Sequence, residues 1–162
     1  MKKLLCLLFA AGCAAAVSAQ TMPDVKVENL RGETVSTSGL TGGKPCIVSF
    51  WSMTCKPCIL ELNTINEYLD EWREEADFEV VAVSTDDVRA ISQARGYAQS
   101  RGWDFICLFD KNQDFKRAMN VAQTPHSFVV DGDGKVVYSH TGYTPGSEQE
   151  LFEKILELQK KK

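Results

Sequence analysis

The sequence lacks an apolar run long enough to cross a bilayer, an excess of basic residues and a second closely spaced cysteine pair. Its N-terminal apolar run, residues 4–11, is far shorter than the about 20 residues that a spanning helix needs. The 18 Lys and Arg against 22 Asp and Glu give a net charge of −4, which argues against nucleic-acid binding. No internal repeat or low-complexity linker divides the chain, so one domain is expected.

The first 19 residues have the order of a secretory signal peptide. Two lysines precede the apolar run, and the small residues VSA precede Gln20. Cleavage after Ala19 is predicted, which leaves residues 20–162 as one domain in the periplasm or another extracytoplasmic compartment. The alternative is a lipoprotein signal with the lipid on Cys13, but Ala10 stands where such signals usually carry Leu.

Apolar runs and helical periodicity alternate along the rest of the chain, which predicts an α/β domain whose mixed sheet is covered by helices on both faces. The closing hairpin adds antiparallel strands to that sheet. The predicted order is a hairpin at 25–40, a strand at 46–51, a helix from Pro57 to about Glu74, a strand at 78–84, a helix capped by Asp86-Asp87 through Ser100, a strand at 103–110, a short helix at 114–119, a hairpin at 127–140, and a helix capped by Ser147 with Glu150.

The segment CKPC, from Cys55 to Cys58, joins the strand at 46–51 to the helix that follows. Pro57 fits the first turn of a helix, where a missing N–H costs least. The helix N-terminus and the adjacent Lys56 both favour a thiolate. Because Cys55 precedes the helix and Cys58 lies one turn inward, Cys55 is the predicted nucleophile and Cys58 the resolving thiol.

These cysteines and the two histidines allow other interpretations. A zinc site needs about four ligands at suitable spacing, which the scattered remaining Cys and His do not provide. A structural disulfide across so short a loop would contribute little stability. Cys46 and Cys107 are expected to be buried thiols that behave as small hydrophobes, with a disulfide between them as the alternative. His126 is expected at an exposed edge, with a tuning role at the site as the alternative.

Two segments, SFWSMTCKPC and MNVAQTPHSFVVDGDGKVVYSHTG, resemble the hallmark segments of the TlpA/ResA-like extracytoplasmic thiol-disulfide oxidoreductases, which have a thioredoxin fold. The resemblance covers residues 24–158, including the N-terminal hairpin and a helix–strand unit at 87–110 inserted into the minimal thioredoxin plan. It implies an enzyme that reduces protein disulfides through the CxPC motif, with a thiol oxidase or isomerase of the same fold as the alternative.

The resemblance also implies the partners of the reaction. The redox centre would be the Cys55–Cys58 disulfide itself, without a metal or a separate cofactor. Clients would be proteins with thiols or disulfides, among them apocytochrome c, so that a role in cytochrome c biogenesis is implied. A membrane electron donor would re-reduce the protein, and a monomer is expected.

The same resemblance implies that the peptide bond between Thr124 and Pro125 is cis and faces the cysteine pair. In this fold the backbone of the residue before that proline receives the substrate peptide. We therefore expect Thr124 and Pro125 to bind substrate, together with Trp51, Lys56 and Pro57 around the cysteines.

Glu61 stands three residues after Cys58, near the apolar stripe of the predicted helix. Thioredoxins carry a buried Asp six residues before the first cysteine, where this sequence has Ser49. The resemblance implies that Glu61 serves instead, since a partly buried carboxylate has a raised pKa and can accept the proton of Cys58. The alternative is an exposed glutamate that stabilises the first turn of the helix.

Two other functional classes fit the sequence less well. Peroxiredoxins place Thr three residues before the reactive cysteine and Pro four residues before that Thr, whereas this chain has Ser52 and Val48. Copper chaperones with a thioredoxin fold space their cysteines further apart and add a distal His. A peroxidase and a metal-binding chaperone remain as alternatives to a thiol-disulfide oxidoreductase.

Overall fold

A computed structural model describes residues 20–160, so the predicted signal peptide and Cys13 lie outside the described residues. None of the described helices is both long and apolar enough to cross a membrane. The elements are β1 Lys26–Asn29, β2 Thr34–Ser36, β3 Cys46–Trp51, α1 Lys56–Glu75, β4 Glu79–Ser84, α2 Ile91–Arg101, β5 Ile106–Phe109, α3 Asp114–Ala118, β6 His126–Val130, β7 Val136–Thr141 and α4 Ser147–Gln159.

The strands form one mixed sheet in the order β2-β1-β5-β4-β3-β6-β7. The central strands β3, β4 and β5 are parallel, while β6 runs antiparallel to β3 and β1 antiparallel to β5. The connections through α1 and α2 both step in the same direction along the sheet, and the right-handed crossover rule places both helices on the same face. The N-terminal hairpin, the inserted unit of α2 and β5, and the mixed sheet are confirmed.

Both faces of the sheet are covered because the central strand is apolar on both sides. Every residue of β3 is buried. On one face Phe50 packs edge-on against Phe115 of α3, with ring centroids 5.2 Å apart. On the other face Ile47 belongs to a core cluster with residues of α1 and α4. Helices on both faces are thus confirmed.

Helix α1 buries a stripe of apolar residues three and four positions apart, as its sequence predicts. Trp72, near its C-terminal end, stacks on Phe152 of α4 with centroids 4.5 Å apart, which joins the two helices. The helix ends where Ala76 takes an extended conformation. The predicted bounds agree with the structure to within one residue at each end.

The predicted N-cap of α2 is wrong. The helix begins at Ile91, after Ala90, and makes no side-chain capping bond. Asp87 lies earlier and opens a turn, in which its carboxylate accepts the backbone N–H of Arg89 at 2.9 Å. Its carbonyl receives the N–H groups of Ala90 and Ile91, so the backbone, not a side chain, starts the helix.

The predicted capping box of α4 is also wrong. Ser147 is the first helical residue and not its cap, which is Gly146 with a φ of 99°. The carboxylate of Glu148 accepts the N–H of Gly146 at 3.0 Å. Glu150 instead accepts the hydroxyl of Tyr138 at 2.8 Å. Gly146 takes a left-handed backbone conformation, which cannot be read from the sequence, and this conformation sets the start of the helix.

The carboxyl ends of the three parallel strands meet at one edge of the sheet, where Trp51 is paired with Ser84 and Ser84 with Phe109. Strand β6 begins at the same edge because it runs antiparallel to β3 and pairs His126 with Phe50. This register brings Pro125, the residue before β6, opposite the end of β3. Ligand sites of open α/β sheets form at such an edge.

Candidate active site

The two cysteines of the CKPC segment lie at the first turn of α1. Cys55 is the N-cap, and its Sγ accepts the backbone N–H of Cys58 at 3.3 Å. Cys55 is half-buried, Cys58 is fully buried, and the two are joined by a disulfide with Cα atoms 5.3 Å apart. Lys56 and Pro57 between them are exposed. The outer and inner positions predicted for the two cysteines are therefore the ones observed.

The loop before Cys55 is held by residues that follow β4. The N–H and the hydroxyl of Thr85 both donate to the carbonyl of Trp51, at 2.8 and 3.1 Å. The carboxylate of Asp86 accepts the N–H of Met53 at 3.1 Å and the hydroxyl of Ser84 at 2.8 Å. Asp86 is thus a clamp on the cysteine loop, a role that its interpretation as a helix cap missed.

The Thr124–Pro125 peptide bond is cis, as expected. Pro125 is buried and Thr124 half-buried, and the carbonyl of Pro125 accepts the N–H of Gly142 at 2.9 Å. This bond ties the segment to the end of β7. The backbone of Thr124 lies at the same edge of the sheet as the cysteines, where the predicted substrate surface would be.

Trp51 does not suit its predicted role in substrate binding, because its side chain is fully buried. Its ring packs edge-on against Trp103 at 5.2 Å between centroids and lies in a core cluster with Cys58. The side chain supports the cysteine loop from beneath. Lys56 and Pro57, which are also predicted to bind substrate, are exposed.

Glu61 is buried, with 2 % of its surface exposed. It faces the sheet, where its Oε1 lies 2.5 Å from the hydroxyl of Ser127 on β6, and that hydroxyl lies 3.0 Å from the hydroxyl of Ser49 on β3. Ser49 and Ser127 are register partners in the sheet. The exposed-glutamate alternative is therefore wrong, and Ser49 contributes a hydroxyl to the carboxylate's surroundings.

The three side chains form a chain whose direction follows the charge of Glu61. A hydroxyl has one hydrogen to donate, so Ser127 can donate either to Glu61 or to Ser49. Donation to Glu61 suits the carboxylate, whereas a protonated Glu61 can donate to Ser127 and let Ser127 donate to Ser49. The network thus accommodates both protonation states of the acid without moving the backbone.

Burial raises the pKa of Glu61 to about 7, a shift that the hydrogen bond from Ser127 reduces and the negative charge of Glu148 increases. The second oxygen, Oε2, is buried and has no hydrogen-bond partner among the described residues. Glu61 lies one helical turn after Cys58 and so on the same side of α1. An acid with a pKa near neutrality beside the inner cysteine is suited to proton transfer.

Polar side chains on α1, on α4 and in the loop between β7 and α4 lie near Glu61. Glu148 is buried and accepts the N–H of Gly146 at 3.0 Å. The hydroxyl of Tyr143 lies 3.4 Å from that of Thr64, one turn after Glu61. Burial raises the pKa of Tyr143, and the charges of Glu148 and Glu61 add to that effect. Sequence reasoning gave Glu148 and Tyr143 no role.

Cys46 and Cys107 are free and buried, so the alternative of a disulfide between them is wrong. They lie in core clusters on opposite faces of the sheet. Burial raises the pKa of each thiol to about 12, which makes both unreactive at neutral pH. Within residues 20–160 no three His, Cys, Asp or Glu side chains form a group that could hold a metal ion.

His126 lies beside the site in sequence but points to the other face of the sheet. Its ring stacks on Phe128 at 4.3 Å between centroids, in the face that α3 covers. It is half-buried, and burial together with the charge of His140 lowers its pKa. The prediction placed His126 at an exposed edge, whereas the structure shows it half-buried against an aromatic ring.

The Redoxin family model matches residues 17–156 of the chain. The thiol-disulfide oxidoreductase ResA of Bacillus anthracis is 30 % identical over 115 residues, which span 71 % of this chain and 64 % of that protein. The ResA of Bacillus thuringiensis strain Al Hakam matches with the same values. The chain thus spans slightly less than two thirds of the length of these curated relatives.

Solved structures give a fuller overlap. A thioredoxin-like protein of Porphyromonas gingivalis is 45 % identical, with a TM-score of 0.77 over 86 % of this chain and 92 % of that one. A structure described as a thiol:disulfide interchange protein DsbE, from Chlorobium tepidum, is 27 % identical with a TM-score of 0.75 over 86 % and 96 %. The thioredoxin-like fold and the resemblance to ResA are confirmed.

Proposed function

The chain belongs to the Redoxin family, and on that premise we propose that it is a thiol-disulfide oxidoreductase that reduces protein disulfides outside the cytoplasm. Its redox group is the Cys55–Cys58 pair, with no metal or separate cofactor. The observation that carries the proposal is the position of this pair, a half-buried thiol at a helix N-cap and a buried thiol one turn inward. The names of the curated relatives support the same reaction class.

In the first step the reduced protein attacks a client disulfide. The Cys55 thiolate forms a bond to one client sulfur, and the other client sulfur leaves as a thiolate. The helix N-terminus and the N–H of Cys58 stabilise negative charge on Cys55. The client backbone lies along Thr124, and the exposed Lys56 and Pro57 complete the surface.

In the second step Cys58 attacks the Sγ of Cys55. The Cys55–Cys58 disulfide forms, the client sulfur that was bound to Cys55 leaves as a thiolate, and two electrons have passed from the protein to the client. The proton of Cys58 goes to Glu61, whose pKa of about 7 lets it accept and later release a proton near neutral pH.

The oxidised protein must then be reduced again before another turnover. We propose that a membrane electron donor delivers two electrons to the Cys55–Cys58 disulfide, and that the protein acts as a monomer. Export through the signal peptide at residues 1–19 would place it beside such a donor. Apocytochrome c is one client that this arrangement would serve.

Trapping the mixed disulfide tests the proposal. Cys58→Ala removes the resolving thiol, so clients remain bound to Cys55 when the variant is expressed in its own host. We expect covalent complexes that a reductant dissolves and that mass spectrometry assigns to exported proteins. The matched variant Cys55→Ala should form none of them.

The same sample tests the reaction class and the compartment. An abundant, folded Cys58→Ala protein without mixed disulfides would contradict the proposed reduction of proteins. A mature chain that begins at Gln20 would support export by signal cleavage, whereas a lipid on Cys13 would support the lipoprotein alternative.

A further inference from the structure

A groove of about 400 Å³ lies beside the cysteine pair, between the start of α1 and the second half of α2. Three apolar side chains form part of its lining: Met53 precedes the cysteines, and Ile59 and Leu60 follow them on α1. Tyr97 of α2 forms the opposite wall. Leu60 is 51 % exposed, so its apolar side chain is accessible from this groove.

Two cations lie along this groove. Lys56 directly follows the proposed nucleophile and is exposed, and Arg101 ends α2. Within residues 20–160 neither one has a carboxylate within ion-pair distance, whereas Arg73 of α1 and Arg95 of α2 are both paired. Both charges are thus available to a partner.

Arg101 is held in place by an aromatic ring. Its guanidinium lies 4.5 Å from the centroid of the Tyr97 ring and donates a hydrogen bond to the Tyr97 hydroxyl. Tyr97 in turn lies 6.2 Å from Trp51 and 6.3 Å from Trp103, between ring centroids. The positive charge is therefore fixed on the aromatic cluster under the cysteine loop, which limits the side-chain entropy lost on binding.

We propose that this groove binds the client segment next to the client's reactive cysteine, with an apolar side chain between Leu60 and Tyr97 and an Asp or Glu at Lys56 and Arg101. The inference rests on the proposed function and names its substrate class: disulfide-bonded chains with an acidic and an apolar residue near the cysteine. Since the whole chain carries a charge of −4, the two cations supply the local attraction that an acidic segment needs.

Two disulfide peptides test the proposal. They share a leucine beside one cysteine and differ by a neighbouring Glu or Lys, and stopped-flow measurement gives the second-order rate constant for their reduction by the reduced protein. We expect the Glu peptide to be preferred about three- to tenfold at low salt, as charge pairs at an exposed site allow. The preference should shrink as salt screens the charges.

Arg101→Glu should abolish or reverse this preference, since it replaces attraction with repulsion at the groove. The matched control is Lys135→Glu, which makes the same charge change on an exposed lysine in the β6–β7 turn at the other end of the sheet. It should keep the wild-type preference. A preference that survives in Arg101→Glu, or that disappears equally in Lys135→Glu, would overturn the proposal.

Uncharged hydroxyethyl disulfide separates the inference from the proposed function. If the wild-type protein reduces this compound and both peptides equally well, the reaction class stands and the groove has no charge preference. If it reduces none of the three, the proposed function itself fails. Sedimentation that shows a dimer, together with no peptide preference, would mean that a second copy of the chain covers the groove and would also overturn the inference.

Discussion

Cys55 and Cys58 open a helix at the edge of the sheet, whereas Cys46 and Cys107 lie within its strands. The strand thiols are surrounded by core side chains, and burial raises the pKa of both to about 12. Cys55 is instead half-buried at a helix N-cap, where a backbone N–H reaches its sulfur. The difference teaches that position, not residue type, decides which thiols take part in exchange.

The two pairs also differ in their acidic neighbours. Glu61 lies on the same helix as Cys58, one turn further on, with a pKa raised to about 7. The negative charge of Glu79 near Cys46 only raises the pKa of that thiol further. A proton acceptor with a pKa near neutrality therefore accompanies the pair at the helix start, and the strand thiols have none comparable.

The largest expected effect comes from removing the outer thiol. Cys55→Ser should reduce disulfide exchange to the uncatalysed background, because a hydroxyl cannot form the mixed disulfide. Cys46→Ala should retain exchange, since Cys46 is 1 % exposed and lies outside the site. Reduction of hydroxyethyl disulfide measures both variants. Loss of exchange in a folded Cys46→Ala protein, judged by circular dichroism, would remove the distinction between the two pairs.

The next effect concerns the stability of the fold. Glu61 has a higher pKa in the folded protein than its ordinary 4.5, so the folded state holds the proton more tightly than the unfolded state. The stabilisation that this tighter proton binding adds to the free energy of unfolding is fully present below pH 4.5 and is lost as the pH rises through 7. The free energy of unfolding falls by about 3 kcal/mol in total, because a difference of one between the folded and unfolded pKa corresponds to about 1.4 kcal/mol.

Glu61→Gln should remove this loss, because the amide cannot ionise. Above pH 7 the oxidised variant should unfold at a higher urea concentration than the wild type, and at acidic pH the difference should vanish. Asp110 is a second buried acid whose pKa burial raises. Because it is present in both proteins, its effect on stability cancels when the variant is compared with the wild type. Glu67→Gln, on the exposed side of α1, is the control. A stability difference independent of pH would contradict the assigned pKa.

A smaller effect is expected from Ser127. Its hydroxyl lies 2.5 Å from Glu61 and lowers the pKa of that acid against the effect of burial. Ser127→Ala should therefore move the Glu61 pKa further up, which NMR of the side-chain carboxyl carbon can follow during a pH titration. Ser139→Ala, at an exposed position of β7, should leave it unchanged. An unaltered or lowered pKa in Ser127→Ala would mean that the hydroxyl does not stabilise the charged form.

Local sequence signals predicted the elements that carry the chemistry. The apolar run of β3 and the spacing of apolar residues in α1 defined the strand–CxxC–helix unit to within a residue. These signals sufficed because a strand buried on both faces has a continuous apolar run, whereas a helix buried along one stripe has apolar residues three and four positions apart. The starts of α2 and α4 were missed because they depend on backbone turns, at Asp87 and at Gly146.

The surroundings of Glu61 depend on contacts between distant parts of the chain. Ser127 and Ser49 are 78 residues apart and meet only through the register of β6 against β3. Their one local signal is a polar residue within a mostly apolar strand. Asp86 likewise acts on Met53 only because parallel strands end at the same edge of the sheet.

We propose that Glu61 takes the proton of Cys58 during exchange. The most direct measurement is the pH dependence of disulfide reduction by the wild type, Glu61→Gln and the control Glu67→Gln. We expect an inflection near the Glu61 pKa of about 7 in the wild type and the control, and we expect Glu61→Gln to lack this inflection and to exchange more slowly. An identical profile and rate in all three proteins would contradict it.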